Sequence, residues 1–283
     1  MQKFKTLGVL LLCCLSSLLG MAQTPGAASG QQRIVSLNGA ISEILCALGV
    51  EQQIVGVDVT STYPASLQQK PTVGHNRNIS AEGVLALNPT LVLALESQLT
   101  PQLEAQLRSA GVKTVLLKQA FSFQGVRDMV KNVAAEVGAI PQAAAVLADY
   151  DQAVAALDVS PLSQKVLFIY ARGAGTLLVS GTGTSVDKVI ALAGASNAVT
   201  DFSDFKPLSA ESLVGADPDV ILMFDHGLQS MGGVAGLLKV PGVAQTRAGQ
   251  QKKIITMDGE LLAGFSLRLP QAISELHHKI AGG

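Results

Sequence analysis

Short apolar runs recur along the chain and alternate with amphipathic segments of helical period. The runs are rich in β-branched residues and are bounded by turn residues, which is typical of buried strands. We predict strands at Arg33–Leu37, Ile54–Val57, Lys113–Leu117, Val166–Tyr170 and Lys253–Met257, and helices at Ser42–Leu48 and Ser185–Ala193. Strands that alternate with helices at this spacing predict parallel α/β sheets.

The chain also contains an internal repeat. The segment SAEGVLALNPTLVL at 80–93 matches SAESLVGADPDVIL at 209–222 without a gap. Each copy opens with Ser and Glu, which favour a helix start, and passes through Pro into a buried strand. The offset between the copies exceeds the period of about 20–50 residues found in solenoids. The repeat therefore predicts two lobes of similar Rossmann-like design within one chain.

We place the amino-terminal lobe at 33–140 and the carboxy-terminal lobe at 164–283. The Ala-rich segment 141–158 between them has few helix breakers, and Pro141 suits the first turn of a helix. A helix of that length spans roughly 25 Å at about 1.5 Å per residue. One long helix joining the lobes would permit only small relative movement, and we expect the ligand cleft to lie between the lobes.

Residues 1–22 are typical of a cleaved secretory signal. Lys3 and Lys5 precede an apolar run that is too short to span a bilayer, and small residues follow at the expected cleavage site. Lipidation at Cys13 or Cys14 is disfavoured because both lie inside the apolar run. We therefore expect export to the periplasm, with a mature chain that begins at Gln23.

Composition excludes several classes of function. The 20 basic and 21 acidic residues give a net charge of −1, which does not favour nucleic-acid binding. No later segment reaches the ~20 apolar residues of a membrane helix. After cleavage Cys46 would be the lone cysteine, so we expect a buried, inert thiol and no internal disulfide. We expect a monomer without direct membrane insertion.

Several ordered segments carry a family resemblance. They are RIVSL at 33–37, VGVD at 55–58, TSTYP at 60–64, VGHNR at 73–77, KPLSAE at 206–211 and MDG at 257–259. In this order the segments resemble the periplasmic haem-binding proteins of bacterial haem-uptake ABC transporters. That group belongs to the helix-linked substrate-binding proteins, which also serve cobalamin and ferric siderophores. The resemblance implies a carrier and no enzyme: haem b is the transported ligand, and an ABC permease with its ATPase receives it.

The resemblance also implies the iron site, and this chain departs from the family there. The family places a ligand Tyr after the Val-Gly pair, where this chain has His75. A second-lobe Arg usually approaches that Tyr, and here the corresponding residue is His226. Because imidazole binds haem iron, we hypothesise that His75 is an iron ligand. His226 would either bind the iron from the other lobe or donate a hydrogen bond across the pocket.

The sequence also offers further pocket and docking residues. Arg77, two residues beyond His75, and Arg172, which follows the predicted strand Val166–Tyr170, could pair the haem propionates. Tyr63 is a reserve iron ligand, although family precedent makes it a pocket wall. The repeat places Glu82 and Glu211 at matching positions, where family members dock into Arg pockets of the permease. The alternative for either glutamate is an ordinary helix-start carboxylate.

Two other functions stay open at this point. The first is a cobalamin or ferric-siderophore carrier of the same fold, because cobalamin can also use His as a ligand. The second is an exported enzyme, for which the stretch GTGTS at 181–185 could cradle a phosphate. That stretch lacks the third glycine of a dinucleotide-binding fingerprint, and no nucleophile-elbow motif is present.

Overall fold

A computed structural model describes residues 32–75, 78–173, 175 and 177–282. The predicted signal segment lies outside these residues. Residues from Gln32 onward form one compact unit. No helix in the described part of the chain is both long and apolar enough to cross a membrane.

The first sheet is parallel throughout, as predicted. Its strands lie in the order β2-β1-β3-β4. They are β1 (Ile34–Ser36), β2 (Ile54–Val57), β3 (Leu91–Leu95) and β4 (Lys113–Leu117). Successive residues of β3 contribute to cores on opposite faces, since Leu91 and Leu93 pack in one cluster and Val92 and Ala94 in another. The sheet is therefore covered on both sides, as its continuous apolar runs indicated.

The second sheet is mixed, which differs from the predicted parallel arrangement. Its strands are β5 (Lys165–Ala171), β6 (Leu177–Ser180), β7 (Ser196–Asn197), β8 (Phe205–Pro207), β9 (Val220–Phe224) and β10 (Ile254–Met257). The main path runs β10-β9-β5-β6-β8, with β7 paired to β5. β6 is antiparallel to both of its neighbours. Only five residues join β5 to β6, which is too few for a parallel crossover.

Helices cover both sheets. In the first lobe they are α1 (Gly39–Ala47), α2 (Ala81–Leu85), α3 (Pro101–Ser109) and α4 (Phe123–Glu136). In the second they are α6 (Ser185–Leu192), α7 (Ala210–Ala216), α8 (Asp225–Ser230), α9 (Gly233–Leu237), α10 (Arg247–Gln251), α11 (Gly259–Ala263) and α12 (Leu269–Ala281). α1 starts three residues before the predicted helix, because the Asn38 side chain accepts hydrogen bonds from the amides of Ala40 and Ile41.

The repeat is visible in the structure. Ser80 and Ser209 each accept a hydrogen bond from the amide three residues later and start α2 and α7. Both copies then turn through a left-handed residue, Asn88 or Asp217, directly before the proline. Each turn is followed by a buried strand, β3 in one copy and β9 in the other.

The helix α5 (Ile140–Ala155) follows the first sheet and precedes the second. It begins one residue before the predicted segment 141–158 and ends three residues before that segment does. Leu267, near the start of α12, packs against the hydrophobic cores of both sheets. The two lobes are thus joined by a helix and by side-chain packing.

Candidate functional site

His75 lies just beyond the carboxyl end of β2, on a loop that is tied back to that strand. The amide of Val73 donates to the Val57 carbonyl over 2.9 Å, and the amide of Val59 donates to the Gly74 carbonyl over 3.1 Å. Gly74 has φ = 102°, a conformation that favours glycine. This turn places the partly buried His75 beside the carboxyl end of β2.

Arg172 approaches His75 from the second lobe. It follows β5, and its Nη2 lies 3.4 Å from Nε2 of His75. A guanidinium group can only donate, so Nε2 of His75 is the acceptor in this contact. Neutral imidazole with an available lone pair is the form that binds metals. The carboxyl ends of the two sheets therefore face each other across a cleft.

His226 borders this cleft from the second lobe. It lies in the first turn of α8, directly after β9, and its side chain is exposed. Together with Asp258 it lines a cavity of about 480 Å³ whose other wall includes Asp58 and Thr72 of the first lobe. Of the other predicted pocket residues, Arg77 lies outside the described residues.

Tyr63 contacts the opposite lobe. Cζ of Arg268 lies 4.0 Å from the centre of the Tyr63 ring, a distance typical of a cation–π interaction. Tyr63 remains 48% exposed, so much of the ring is still available to a ligand. The predicted pocket wall is therefore held by a residue of the second lobe.

A buried ion pair joins the lobes beneath Tyr63. Nε of Arg268 donates to Oε2 of Glu43 over 2.8 Å, and the Arg268 amide donates to Oε1 over 3.1 Å. The Glu43 side chain is 6% exposed and that of Arg268 18%. These residues are 225 positions apart, and the sequence offered no signal that would pair them.

Two carboxyl groups in this region, Glu260 and Asp58, have raised pKa values. Burial, followed by the charges of Asp58 and Asp258, raises the pKa of Glu260 to about 8, although Arg268 opposes the rise. Burial also raises the pKa of Asp58, against the hydrogen bonds that Thr60 and Ser61 donate to it. Burial therefore disfavours the ionised form of Glu260 most clearly, and that of Asp58 in the same direction.

The two repeat glutamates occupy equivalent surface positions. Glu82 lies in the first turn of α2 and Glu211 in the first turn of α7, and both are exposed. Their side chains are accessible to a partner that presents two basic sites. A glutamate is also stabilised at these positions by the positive amino-terminal end of each helix dipole.

Other residues considered from the sequence have structural roles. Burial raises the pKa of the half-buried Cys46 thiol to about 12, so the thiol stays neutral and unreactive. His277 is buried, and its Nδ1 lies 2.9 Å from the Ala193 carbonyl oxygen. In the glycine stretch before α6, Thr184 caps the helix and the Gly183 amide donates to Asp187.

Three aromatic residues near Arg172 were not identified as site residues from the sequence. Tyr170 ends close to the carboxyl edge of β5 and is half-buried beside Phe205 and Phe224. Cζ of Arg172 lies 5.8 Å from the centre of the Tyr170 ring. The repeat contained a signal for Phe205, because its offset pairs position 205 with position 76, next to His75.

Comparisons with known proteins agree with this architecture. The model of the periplasmic binding protein family matches residues 34–261, so the chain belongs to that family. The periplasmic heme-binding protein RhuT from Roseiflexus sp. RS-1, solved in its apo form, is 41% identical with a TM-score of 0.85. That match covers 89% of this chain and 99% of RhuT.

Two further relatives represent the ligand alternatives. The periplasmic heme-binding protein HutB of Vibrio cholerae is 34% identical, with a TM-score of 0.78 and coverage of 88% of this chain and 99% of HutB. A cobalamin-binding protein of Halobacterium salinarum is 31% identical over 202 residues. The latter match covers 69% of this chain and 54% of the relative, so this chain spans about half of that protein's length.

Proposed function

We propose that this protein is the periplasmic haem-binding component of an ABC importer. The observation that carries the proposal is the meeting of His75 and Arg172 across the cleft, with Nε2 as the acceptor of the 3.4 Å contact. An imidazole and a guanidinium cation lie side by side there, which suits an iron porphyrin with anionic propionates. The 41% identity to a periplasmic heme-binding protein supports the same ligand class.

In this proposal each residue of the cleft has a separate task. His75 binds the haem iron through Nε2, and His226 binds the iron or donates a hydrogen bond from the opposite wall. Arg172 exchanges its contact with His75 for a propionate, and Arg77 pairs the other propionate. Tyr63 covers one face of the porphyrin, supported by its contact with Arg268.

The exposed surfaces of α2 and α7 dock onto the permease when haem is delivered. Glu82 and Glu211 dock onto basic pockets of the permease, whose ATPase then drives import. Their equivalent positions in the two repeat copies support a partner with twofold symmetry. The chain is exported by a cleaved signal at residues 1–22 and acts in the periplasm as a monomeric carrier without enzymatic activity.

A hemin titration followed by absorbance tests the proposal. We expect binding to the wild type to shift the Soret band of hemin. Loss of a residue that only supports a metal ligand costs about 10–100-fold in affinity, so loss of the ligand itself in His75→Ala should weaken hemin binding at least as much. His226→Ala should alter the spectrum with a smaller loss of affinity. His278→Ala is the matched control, because His278 is an exposed histidine on α12, away from the strand ends that border the cleft.

Parallel titrations with cyanocobalamin and a ferric siderophore separate the ligand classes. If cyanocobalamin binds and hemin does not, the cobalamin alternative replaces the proposal. The 31% identity to a cobalamin-binding protein is the observation that favours this alternative. An unchanged affinity and spectrum in His75→Ala would remove His75 as the ligand.

A further inference from the structure

A group of aromatic rings on one face of the second sheet has no role in the cleft described so far. Phe168 and Tyr170 lie two positions apart on β5 and therefore point to the same face of the sheet. Phe224 ends β9, and Phe205 starts β8 at the edge of the same sheet. The chain has no tryptophan and only 11 Phe and Tyr residues, so a cluster of four of these rings is unusual for this sequence.

The rings pack in two layers. Phe168 is fully buried, and its ring centre lies 4.8 Å from that of Phe224 and 6.5 Å from that of Phe205. Tyr170 lies above it, with ring centres 6.0 Å from Phe224 and 6.5 Å from Phe205. The ring planes in the four pairs are inclined at 62–85°, an edge-to-face arrangement that is favourable for aromatic rings. The three upper rings keep part of their surface in water, and Phe205 is 39% exposed.

The upper rings lie within reach of the proposed iron ligand. Arg172 stands 5.8 Å above the Tyr170 ring, and its Nη2 reaches to 3.4 Å from Nε2 of His75. One side chain therefore spans the space between the rings and the imidazole.

We propose that Tyr170, Phe205 and Phe224 form an aromatic shelf on which the flat ring of the ligand lies. The shelf is the second-lobe binding surface for a porphyrin macrocycle, and it acts independently of the metal. Covering the shelf removes apolar surface from water and adds ring–ring contact. This inference rests on the proposed haem function and adds the contacts that select a flat aromatic macrocycle over a compact iron chelate.

Iron-free protoporphyrin IX separates shelf contacts from iron ligation. We expect Phe205→Ala to weaken both hemin and protoporphyrin IX by about tenfold, the size of one stacking contact. His75→Ala should weaken hemin alone and leave protoporphyrin IX affinity unchanged. Because Phe205 is partly exposed, its truncation should not prevent folding. Phe205→Tyr keeps a ring and should restore wild-type affinity.

The second variant pair tests another ring of the shelf. Tyr170→Leu should weaken protoporphyrin IX, whereas Tyr170→Phe should not. Ile140→Ala is the control for loss of an exposed apolar side chain, because Ile140 is 65% exposed at the start of α5. Porphyrin affinity is measured by protoporphyrin fluorescence and hemin absorbance.

The outcomes distinguish this inference from the function on which it rests. If the wild type binds neither hemin nor protoporphyrin IX, the proposed function fails. If it binds hemin through His75 while Phe205→Ala and Tyr170→Leu bind protoporphyrin IX like the wild type, only the shelf is overturned. The shelf is also overturned if Phe205→Ala lowers haem uptake in cells without changing porphyrin affinity, since the Phe205 ring would then contact the permease.

Discussion

Glu260 makes the stability of this protein depend on pH in a predictable direction. Its carboxyl group lies in the first turn of α11, near Asp58, Asp258, Glu43 and Arg268. Burial and the neighbouring carboxylates raise its pKa from the ordinary 4.5 to about 8. Between these values the unfolded chain ionises at Glu260 while the folded protein keeps the proton. The stabilisation from this group is therefore complete below pH 4.5 and is lost as the pH rises to about 8.

The magnitude follows from the two pKa values. One pKa unit corresponds to about 1.4 kcal/mol, so the difference between 4.5 and 8 sets a ceiling of about 5 kcal/mol. The side chain is only partly buried, and solvent screening reduces this value. We expect Glu260→Gln, which keeps the shape and removes the charge, to stabilise the protein by about 1–3 kcal/mol at pH 9.

Urea denaturation at intervals between pH 4.5 and pH 9 measures the effect. The free energies of unfolding of wild type and Glu260→Gln should converge at the acid end and separate steadily toward pH 8. Glu96→Gln, at an exposed glutamate directly after β3, is the matched control and should show no such separation. A constant difference between Glu260→Gln and wild type across the whole range would refute the argument.

Two further predictions concern the interlobe pair and the docking surface. Glu43→Gln or Arg268→Met should each lower the free energy of unfolding by about 3–5 kcal/mol, because the remaining partner stays buried and unpaired. The double variant should lose less than the sum, and additive losses in urea denaturation would show that the pair is not coupled. Charge reversal of both Glu82 and Glu211 to Lys should abolish haem uptake in cells that contain the permease, while hemin affinity in solution stays unchanged. Uptake at the wild-type level would exclude these glutamates from docking, and Glu96→Lys controls for reversal of one exposed charge.

Much of the fold was predictable because its signals are local. Apolar period, caps and turns act over a few residues, so β2 and β4 were located at their observed bounds. Where an observed helix end differs from the predicted one, the cause is local as well, such as the Asn38 cap that starts α1 three residues early. The antiparallel β6 was missed because its direction depends on the short connection from β5 and on its pairing within the sheet.

The candidate site was predictable only in part. A resemblance in ordered segments led to His75, His226 and Tyr63. The position of Arg172 directly after a predicted strand led to that residue, because loops at strand ends are recognisable in sequence. Nothing local indicated that Arg172 would contact His75, from which it is separated by 97 residues. The pairing of Glu43 with Arg268 and the perturbed pKa of Glu260 likewise arise only where the lobes meet.

The amino-acid sequence by itself determined the α/β architecture, the duplicated unit and the loops that carry candidate ligands, since each depends on neighbours along the chain. The tertiary structure alone decided which loops face each other, which carboxyl groups are desolvated and which aromatic rings cluster on the second sheet. Those properties depend on sheet order and on the meeting of two lobes, which brings together residues that are remote in sequence.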